Sequence, residues 1–476
     1  MPQRKSASVT TTNKTVGPDI IVDQGEGEIP DLSRDFLSSA FYRRFHIQRP
    51  ICDPTDFSRR YLAQDPPRAS YMGKDGSILV HIMYAWACSY GVDETGNLDV
   101  PERNWPGGVL PPETGYVWSH DQVRERDRIG RRAKTDGVVA KILKEIDDAG
   151  IMRRHSFDGV RCLLLLLPLT EYVSTPMERL AMYECAVAQV FALCSLSSLG
   201  YDGIQHHLGP EGDIIRVRLY WYTFVHEGIT SGLKGGRLVL DEDDLENFQA
   251  SLPQGWALVT RSSAIKSVAK LATAPIRLAV ACRLIHKALT GPKARKRERV
   301  DKRLMNDAWE ALESCWEEFE AIRAEPPGTF LQKDDIIRFA DGWRIFMFEA
   351  HNVIRESLEH RCAHLVPRPE GAFLTELSLS AEETDPRIQI HREIKHLHDI
   401  ARAKCEQLTR LIVDIVKMHI NTSFFEWDAS LVRDGTYYAA MLLAKDHGTE
   451  EDVAACLQAL NEMRWAYAKT GERSNK

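Results

Sequence analysis

Apolar residues recur at the spacing of an α-helix through most of the second half of this chain. One such stripe comprises Leu278, Cys282, Ile285 and Leu289, and the longest pattern covers His391–His419. A helix with an apolar stripe must bury it against another element, and the partners that this sequence offers are further helices. The pattern therefore predicts an all-α fold, a large multi-helix bundle or superhelix with long loops.

Helical patterns extend through the first half of the chain as well. Ser77–Tyr90 is apolar on nearly every side, which is typical of a helix at the centre of a bundle. Asp121–Ala149 is a charged segment with an apolar inner face. Phe157–Leu167 and Met177–Leu196 are predicted to be two further helices by the same criterion.

A polar leader is expected to precede the folded part. Residues 1–30 are rich in Ser and Thr, and this composition predicts disorder. From residue 31 onwards aromatic residues recur at near-helical spacing, and one domain is expected over residues 31–470. Within that domain the prolines and glycines of Asn97–Trp118 predict a long loop.

One stretch in the middle of the chain combines arginine, tryptophan, glycine and acidic residues. Arg216, Arg218 and Trp221 fall in a predicted helix, Arg237 falls in a glycine-rich turn, and Asp241–Asp244 is an acidic run. An unpaired buried charge is too costly to keep, so these arginines are expected to be held by buried carboxylates or helix-end carbonyls. We interpret the stretch as a structural keystone and not as a reaction centre.

This stretch resembles the central signature of the fungal-specific transcription factor domain, the regulatory region that follows the binuclear zinc cluster in many fungal activators. The residues that match the signature are Arg216, Arg218, Trp221, Gly236, Arg237, Asp241, Glu242 and Asp243. Leu238 stands where the family commonly has proline, so a different loop geometry is expected. The resemblance is strongest over residues 155–245, and its closest branch is that of the xylanase regulators.

The resemblance implies a nuclear regulator of transcription for nutrient or carbohydrate utilisation that senses or contacts something and catalyses nothing. Its expected partners are transcriptional co-regulators or a small-molecule effector, and a homodimer is a further expectation. The family's DNA-binding module holds two zinc ions with six cysteines in two C-x-x-C-x-x-x-x-x-x-C halves, and this sequence has no C-x-x-C. No cofactor is therefore expected in this chain, and DNA would be reached only through a missing zinc-cluster module or a partner.

Charge and cysteine usage narrow the functional classes further. A net charge of −7 argues against nucleic-acid binding as a property of the whole chain. The closest of the ten cysteines, Cys185 and Cys194, are nine residues apart, so no metal-binding spacing exists and a reducing compartment is expected. We expect neither a signal peptide nor a membrane span, because the longest apolar run, Cys162–Leu167, is too short for one.

Motifs that carry enzyme chemistry are mostly incomplete. His226 and Glu227 begin like H-E-x-x-H, but Thr230 stands at the position of the second histidine. The glycine-rich Gly232–Arg237 lacks the full phosphate-binding pattern and is interpreted as a simple loop. His391, His396 and His398 are interpreted as surface or capping residues. If the helices enclose a ligand, we expect it near Trp221, Tyr222, His226 and Arg237, where polar groups meet aromatic side chains.

A basic run, Lys293–Arg303, has seven basic residues in eleven positions. It is interpreted either as a nuclear-localisation or acidic-partner patch or as the solvated start of the next helix. The residues of the candidate patch are Lys293, Arg295, Lys296, Arg297 and Arg299. The mixed charges of Arg124–Lys134 predict an exposed charged face instead.

Two other functional classes stay open. An all-helical enzyme acting on an apolar or diphosphate substrate would need convergent carboxylates, for which Asp241–Asp244 is the candidate. That reading fails if the four acidic residues lie at the surface and cap a helix. The third class is a helical scaffold with no ligand.

Overall fold

The computed structural model describes residues 28–98, 120–194, 210–250, 263–326, 332–365, 386–422, 424–427, 429–445 and 448–463. Over these ranges the chain is α-helical and has no β-strand, although Val92 and Leu98 form an isolated antiparallel bridge. The all-α prediction is confirmed. Most of the predicted leader and of the predicted loop Asn97–Trp118 lies outside the described residues.

Eight helices occupy the described part of the first half. They are α1 (Ala40–Gln48), α2 (Pro54–Tyr61), α3 (Gly73–Ser89), α4 (His120–Ala149), α5 (Phe157–Leu166), α6 (Pro176–Cys194), α7 (Pro210–Glu227) and α8 (Glu242–Ala250). Local capping explains two of these starts, because Asp53 accepts hydrogen bonds at the N-terminus of α2 and Ser156 does so at α5. A 3₁₀ turn, Leu167–Tyr172, follows α5, and Pro168 lies at its start.

The second half continues with long helices. They are α9 (Ser263–Ile285), α10 (Lys302–Ala324), α11 (Lys333–Leu365), α12 (Pro386–His419), α13 (Ala429–Lys445) and α14 (Glu450–Met463), with short helical segments at Pro292–Arg295 and Phe424–Trp427. Two π-helical turns, Gly228–Gly232 and His286–Thr290, extend the ends of α7 and α9.

The buried apolar residues form three adjoining cores. The first surrounds α3, which is buried along most of its length between α4 and α5, as its all-round apolar sequence predicts. The second is formed mainly by α9, α10, α11 and the first half of α12, and the third by α11, the second half of α12, α13 and α14. Because α11 supplies Phe346 to the second core and Ile345 and Phe348 to the third, one helix joins both.

Residues distant in sequence tie the first core to the C-terminal half. The Trp427 side chain packs in the first core, and its carbonyl accepts hydrogen bonds from Gln48 Nε2 and Tyr90 Oη, each at 3.1 Å. Arg43 Nε on α1 pairs with Asp335 Oδ2 on α11 at 3.1 Å. The C-terminal half therefore completes the packing of the N-terminal half.

A buried charge cluster joins α10, α11 and α12. Asp341 is fully buried, and its Oδ1 lies 3.0 Å from Arg323 Nε and 3.3 Å from Arg344 Nη1. Its Oδ2 lies 2.9 Å from His419 Nε2, and the His419 ring stacks on Phe424. One carboxylate thus connects three helices in a region where water cannot replace it.

Candidate functional site

Helix α7 carries the first residues of the resemblance and packs against α5, α6 and α9. Arg216 Nη2 donates to the carbonyl of Cys194, the last residue of α6, at 2.7 Å. Arg218 Nη2 donates to Asp53 Oδ2 at 2.9 Å, and its Nη1 donates to the carbonyl of Pro50 at 3.4 Å. The prediction of a helix-end carbonyl is confirmed for Arg216, whereas the carboxylate that holds Arg218 is 29% exposed and not buried as expected.

Arg237 does not share this environment. Its side chain is 79% exposed and pairs with Glu184, Arg237 Nη1 lying 3.3 Å from Glu184 Oε1. The expectation that it joins Arg216, Arg218 and Trp221 in a buried keystone is therefore wrong, whereas Trp221 does pack against the first core. The physical reason is that the backbone of the turn faces α9, which leaves the Arg237 side chain on the outer side.

Glycine is required where this turn meets the end of α9. Gly235 has φ +75°, and a Cβ there would overlap the carbonyl of Thr290. His286 Nε2 lies 2.8 Å from the Gly236 carbonyl, and Arg295 Nη2 donates to the Gly235 carbonyl at 3.0 Å. The turn is thus packed as backbone against α9 and the segment after it, as the interpretation of a simple loop requires.

The acidic run begins α8 at the protein surface. The Asp241 and Asp244 side chains cap each other's backbone N–H groups, with Asp244 N to Asp241 Oδ1 at 2.9 Å and Asp241 N to Asp244 Oδ2 at 3.1 Å. Glu242 Oε2 pairs with Lys287 Nζ at 2.5 Å, and Asp243 is exposed. These carboxylates lie at the surface and cap a helix, which is the geometry expected to argue against a diphosphate–metal site.

The most deeply buried ion pair on α7 involves Glu227. In the sequence, this residue was a candidate only as part of an incomplete H-E-x-x-H motif. Glu227 Oε2 lies 2.9 Å from Arg283 Nη2 of α9, with the two side chains 0% and 1% exposed. Glu227 also accepts the N–H groups of Val239 and Leu240, at 2.7 and 3.1 Å. Arg283 donates to the Phe224 carbonyl at 3.0 Å and lies over the Phe224 ring. This pair fixes α7, α9 and the turn to one another.

Sequence reasoning missed both partners of this pair, although a signal existed for each. Arg283 interrupts the apolar stripe that contains Cys282 and Ile285, and an arginine in such a position needs a buried acceptor. Glu227 follows an apolar run and precedes Gly228, at which a Cβ would overlap Arg283 Nη1 and Ala279. The glycine therefore marks the point where α7 and α9 approach most closely.

The opposite face of α7 is turned towards the connection between α1 and α2. Arg218, Tyr222 and His226 are spaced four residues apart and so share this face. The rings of Tyr222 and His226 stack with their centroids 6.0 Å apart, and both residues are half-buried. Two of the four residues expected to line a ligand site therefore do lie together.

Arg49 lies opposite these rings, at the end of α1. Its guanidinium is 3.7 Å from the centre of the Trp86 ring, and the whole residue is 7% exposed. Burial, together with the charge of Arg49, lowers the pKa of His226 to about 4. We call His46, Arg49, Tyr222 and His226 the Arg49 cluster.

His46, like Arg49, is a polar side chain of this region that was not among the candidate site residues predicted from the sequence. It is 6% exposed, and a hydrogen-bond contact with the backbone of Cys52 accompanies its burial. Burial is the largest influence on the ring, and with the charge of Arg218 it lowers the pKa of His46 to about 3. The ring is therefore neutral at pH 7.

The basic run is exposed, and most of it precedes the helix that follows. Lys293, Arg295, Lys296, Arg297 and Arg299 are all exposed, and Arg361 Nη2 holds the segment by donating to the carbonyl of Ala294 at 2.8 Å. α10 starts only at Lys302, with Asp301 as its N-cap. The candidate patch is thus not the first turn of α10, although Lys293 and Arg295 lie in the short helical segment Pro292–Arg295, and its residues form no ion pair with any residue the structure describes.

The remaining histidine candidates lie on α12. His396 is exposed, His391 is half-buried, and His398 Nδ1 is 3.7 Å from Asp399 Oδ1. In the described ranges no three His, Cys, Asp or Glu side chains are arranged to hold a metal ion. All ten cysteines are free thiols, and burial raises the pKa of Cys52 to about 11.

The remaining properties of the chain are its capacity to span a membrane and its similarity to known proteins. None of the helices in the described ranges is both long and apolar enough to span a bilayer. No protein-family model, curated protein or solved structure matches this chain. The functional interpretation accordingly depends on the side chains described above.

Proposed function

We propose that this chain is the regulatory region of a nuclear transcription regulator of the fungal-specific type. It responds to a small-molecule effector or co-regulator, catalyses no reaction, and reaches DNA through a separate zinc-cluster module or a partner. The resemblance over residues 155–245 supports this proposal, as do the all-helical fold and the anchoring of Arg216 and Arg218 by neighbouring helices.

The observation that carries the proposal is the placement of the Arg49 cluster beside the signature helix. Arg218, a signature residue, shares one face of α7 with Tyr222 and His226, and that face meets a buried arginine that has no carboxylate partner among the described residues. This arrangement favours a ligand-binding role over a structural one, because an unpaired buried charge destabilises the protein when no ligand is bound.

The proposed mechanism depends on the two faces of α7. One face contributes to the Arg49 cluster, while the other is fixed to α9 through Glu227 and Arg283. A molecule that binds the cluster better in one arrangement of α7 shifts the population towards that arrangement. Through α9 the shift reaches the second core, whose surface includes the basic patch.

A reporter assay tests the proposal directly. The whole chain is fused to a foreign DNA-binding domain, and reporter output is measured in cells grown on different carbon sources. We expect the output to change severalfold between at least two of them, relative to the foreign domain alone. An output equal to that of the foreign domain under every condition would reject the regulator and favour the scaffold without a ligand.

Nuclear import is a second consequence of the proposal. The basic patch is exposed and free of ion pairs within the described residues, which suits an acidic groove on an import receptor. We expect the combined change of Lys296, Arg297 and Arg299 to alanine to abolish nuclear accumulation of a fluorescent fusion. Arg295 is left in place because it also binds the Gly235 carbonyl.

A matched control variant removes three positive charges from another exposed part of the protein. Arg392, Lys395 and Arg410 are exposed on α12 and are changed to alanine in the control fusion. Fluorescence microscopy should show the control in the nucleus and the patch variant in the cytoplasm. Equal distribution of the two variants would exclude the patch as an import signal.

A further inference from the structure

The buried Arg49 side chain lacks the partner that buried arginines normally have. Its Nη1 donates to Gln48 Oε1 at 3.0 Å, and its guanidinium packs against the rings of Trp86 and Phe45. It forms no ion pair with any described residue, and its Nε and Nη2 atoms donate to none. Two donors in the plane of one guanidinium are therefore left for another group.

The other arginines around this point are already neutralised. Arg218 pairs with Asp53 at 2.9 Å, and Arg60 and Arg161 share Asp158 at 2.5 and 2.8 Å. Arg60 also lies 3.8 Å from Asp56. Arg49 differs from these arginines because it has no carboxylate partner among the described residues.

Neutral polar groups and aromatic rings surround the Arg49 guanidinium. His226 offers its Nδ1, which has no hydrogen-bond partner among the described residues. The stacked pair of Tyr222 and His226 supplies a flat apolar surface. The carboxylate of Asp53, whose charge acts on His46, is paired with Arg218 at 2.9 Å, and this pairing weakens its repulsion of an anion bound at Arg49.

We propose that the Arg49 cluster binds a small molecule that carries one carboxylate on an apolar or aromatic body. The carboxylate accepts two hydrogen bonds from Arg49 Nε and Nη2, the bidentate geometry that a planar guanidinium favours. One uncompensated charge suits a monoanion better than a phosphate dianion. The body of the ligand lies against the half-buried rings of Tyr222 and His226, and His226 Nδ1 orients it by a hydrogen bond.

This inference deepens the proposed function, because the carboxylate would be the effector of the regulatory region. The binding experiment nevertheless uses the isolated full chain and no reporter. Carboxylate binding without a reporter response would contradict the proposed regulatory function and leave the proposed binding site standing. A reporter response without carboxylate binding would contradict the binding site and leave the regulatory function standing.

Thermal unfolding with defined probes tests the site. Sodium acetate and sodium benzoate are compared with neutral benzamide and with sodium chloride at equal ionic strength. We expect acetate or benzoate to raise the Tm of the wild-type chain by about 2 °C at ten times its Kd, and benzamide to have no effect. The Arg49→Met variant should lose this shift, and Arg237→Met, which changes an exposed arginine, should retain it.

The Tm of the unliganded variants gives a second measurement that does not depend on the probe. Arg49→Met keeps the apolar stem and removes an uncompensated charge, so it should melt at or above the wild-type temperature. A Tm clearly below that of the wild type would make Arg49 a structural residue and overturn the proposal. So would the absence of any carboxylate-dependent shift in the wild type, or an equal shift in Arg49→Met.

Discussion

Replacement of Glu227 by alanine is expected to lower the free energy of unfolding by about 3–5 kcal/mol, the usual cost of removing one partner of a buried ion pair. The substitution leaves the Arg283 guanidinium charged and buried, since its side chain is 1% exposed. It also removes the acceptor for the N–H groups of Val239 and Leu240. Glu227→Gln should cost less, because the amide oxygen still accepts one of these hydrogen bonds.

The measurement is a urea titration followed by far-ultraviolet circular dichroism, and the chain offers a matched control. Glu184→Ala also removes the carboxylate partner of an arginine, but its partner Arg237 is 79% exposed. An exposed pair contributes roughly 0–1 kcal/mol, so the control should unfold almost like the wild type. Equal transitions for Glu227→Ala and Glu184→Ala would show that Glu227 does not fix α7 to α9.

Replacement of Asp341 by alanine is the second substitution with a large expected effect. Asp341 is fully buried and is the common partner of Arg323, Arg344 and His419, which come from three helices. Its removal leaves Arg344 nearly buried and without its acceptor on α11, and we expect a loss of about 3–5 kcal/mol. The loss should be local at first, with faster amide exchange in α11 and α12 than in α3.

Hydrogen exchange followed by mass spectrometry measures that difference along the chain. The control is Asp399→Ala, because Asp399 is 61% exposed and lies 3.7 Å from His398 in an aspartate–histidine pair at the surface. Its exchange pattern should match that of the wild type. If Asp341→Ala also left the exchange of α11 and α12 unchanged, the charge cluster would have no structural role.

The helices themselves were predictable because their periodicity is local. The apolar pattern predicted a helix over His391–His419, and the structure has α12 at Pro386–His419. The predicted C-terminal end is therefore correct, and the predicted start differs by less than about two turns. α3 was predicted to be central from its apolar sequence alone, and ten or more of its side chains are indeed buried between neighbouring helices. Periodicity also explains why the all-α fold could be predicted before any packing was known.

The pairing of charges was not predictable in the same way. Glu227 and Arg283 are 56 residues apart, and nothing local to either residue says which carboxylate meets which arginine. Arg237 was misplaced for a related reason, since the contact with α9 decides which side of the turn faces outwards. Buried polar contacts of this kind are fixed by the packing of whole helices, which a single sequence does not display.

The candidate site was predicted in part. Tyr222 and His226 were expected near a ligand and do stack on one face of α7, because residues four apart on a helix are neighbours. Arg49 and His46 were not expected there, since they lie more than 170 residues earlier and only the fold brings them opposite α7. The nuclear and regulatory roles remain predictions.

The position of Trp427 in the first core has a consequence for synthesis of the chain. Among the residues that the structure describes, every other buried member of that core precedes residue 280, so the ribosome must add about 150 further residues before Trp427 is available. Until then Phe41 and Tyr90, which contact the Trp427 ring, lack part of their cover. N-terminal fragments that stop short of Trp427 should therefore be prone to aggregate, and completion of this core has to await the C-terminal quarter.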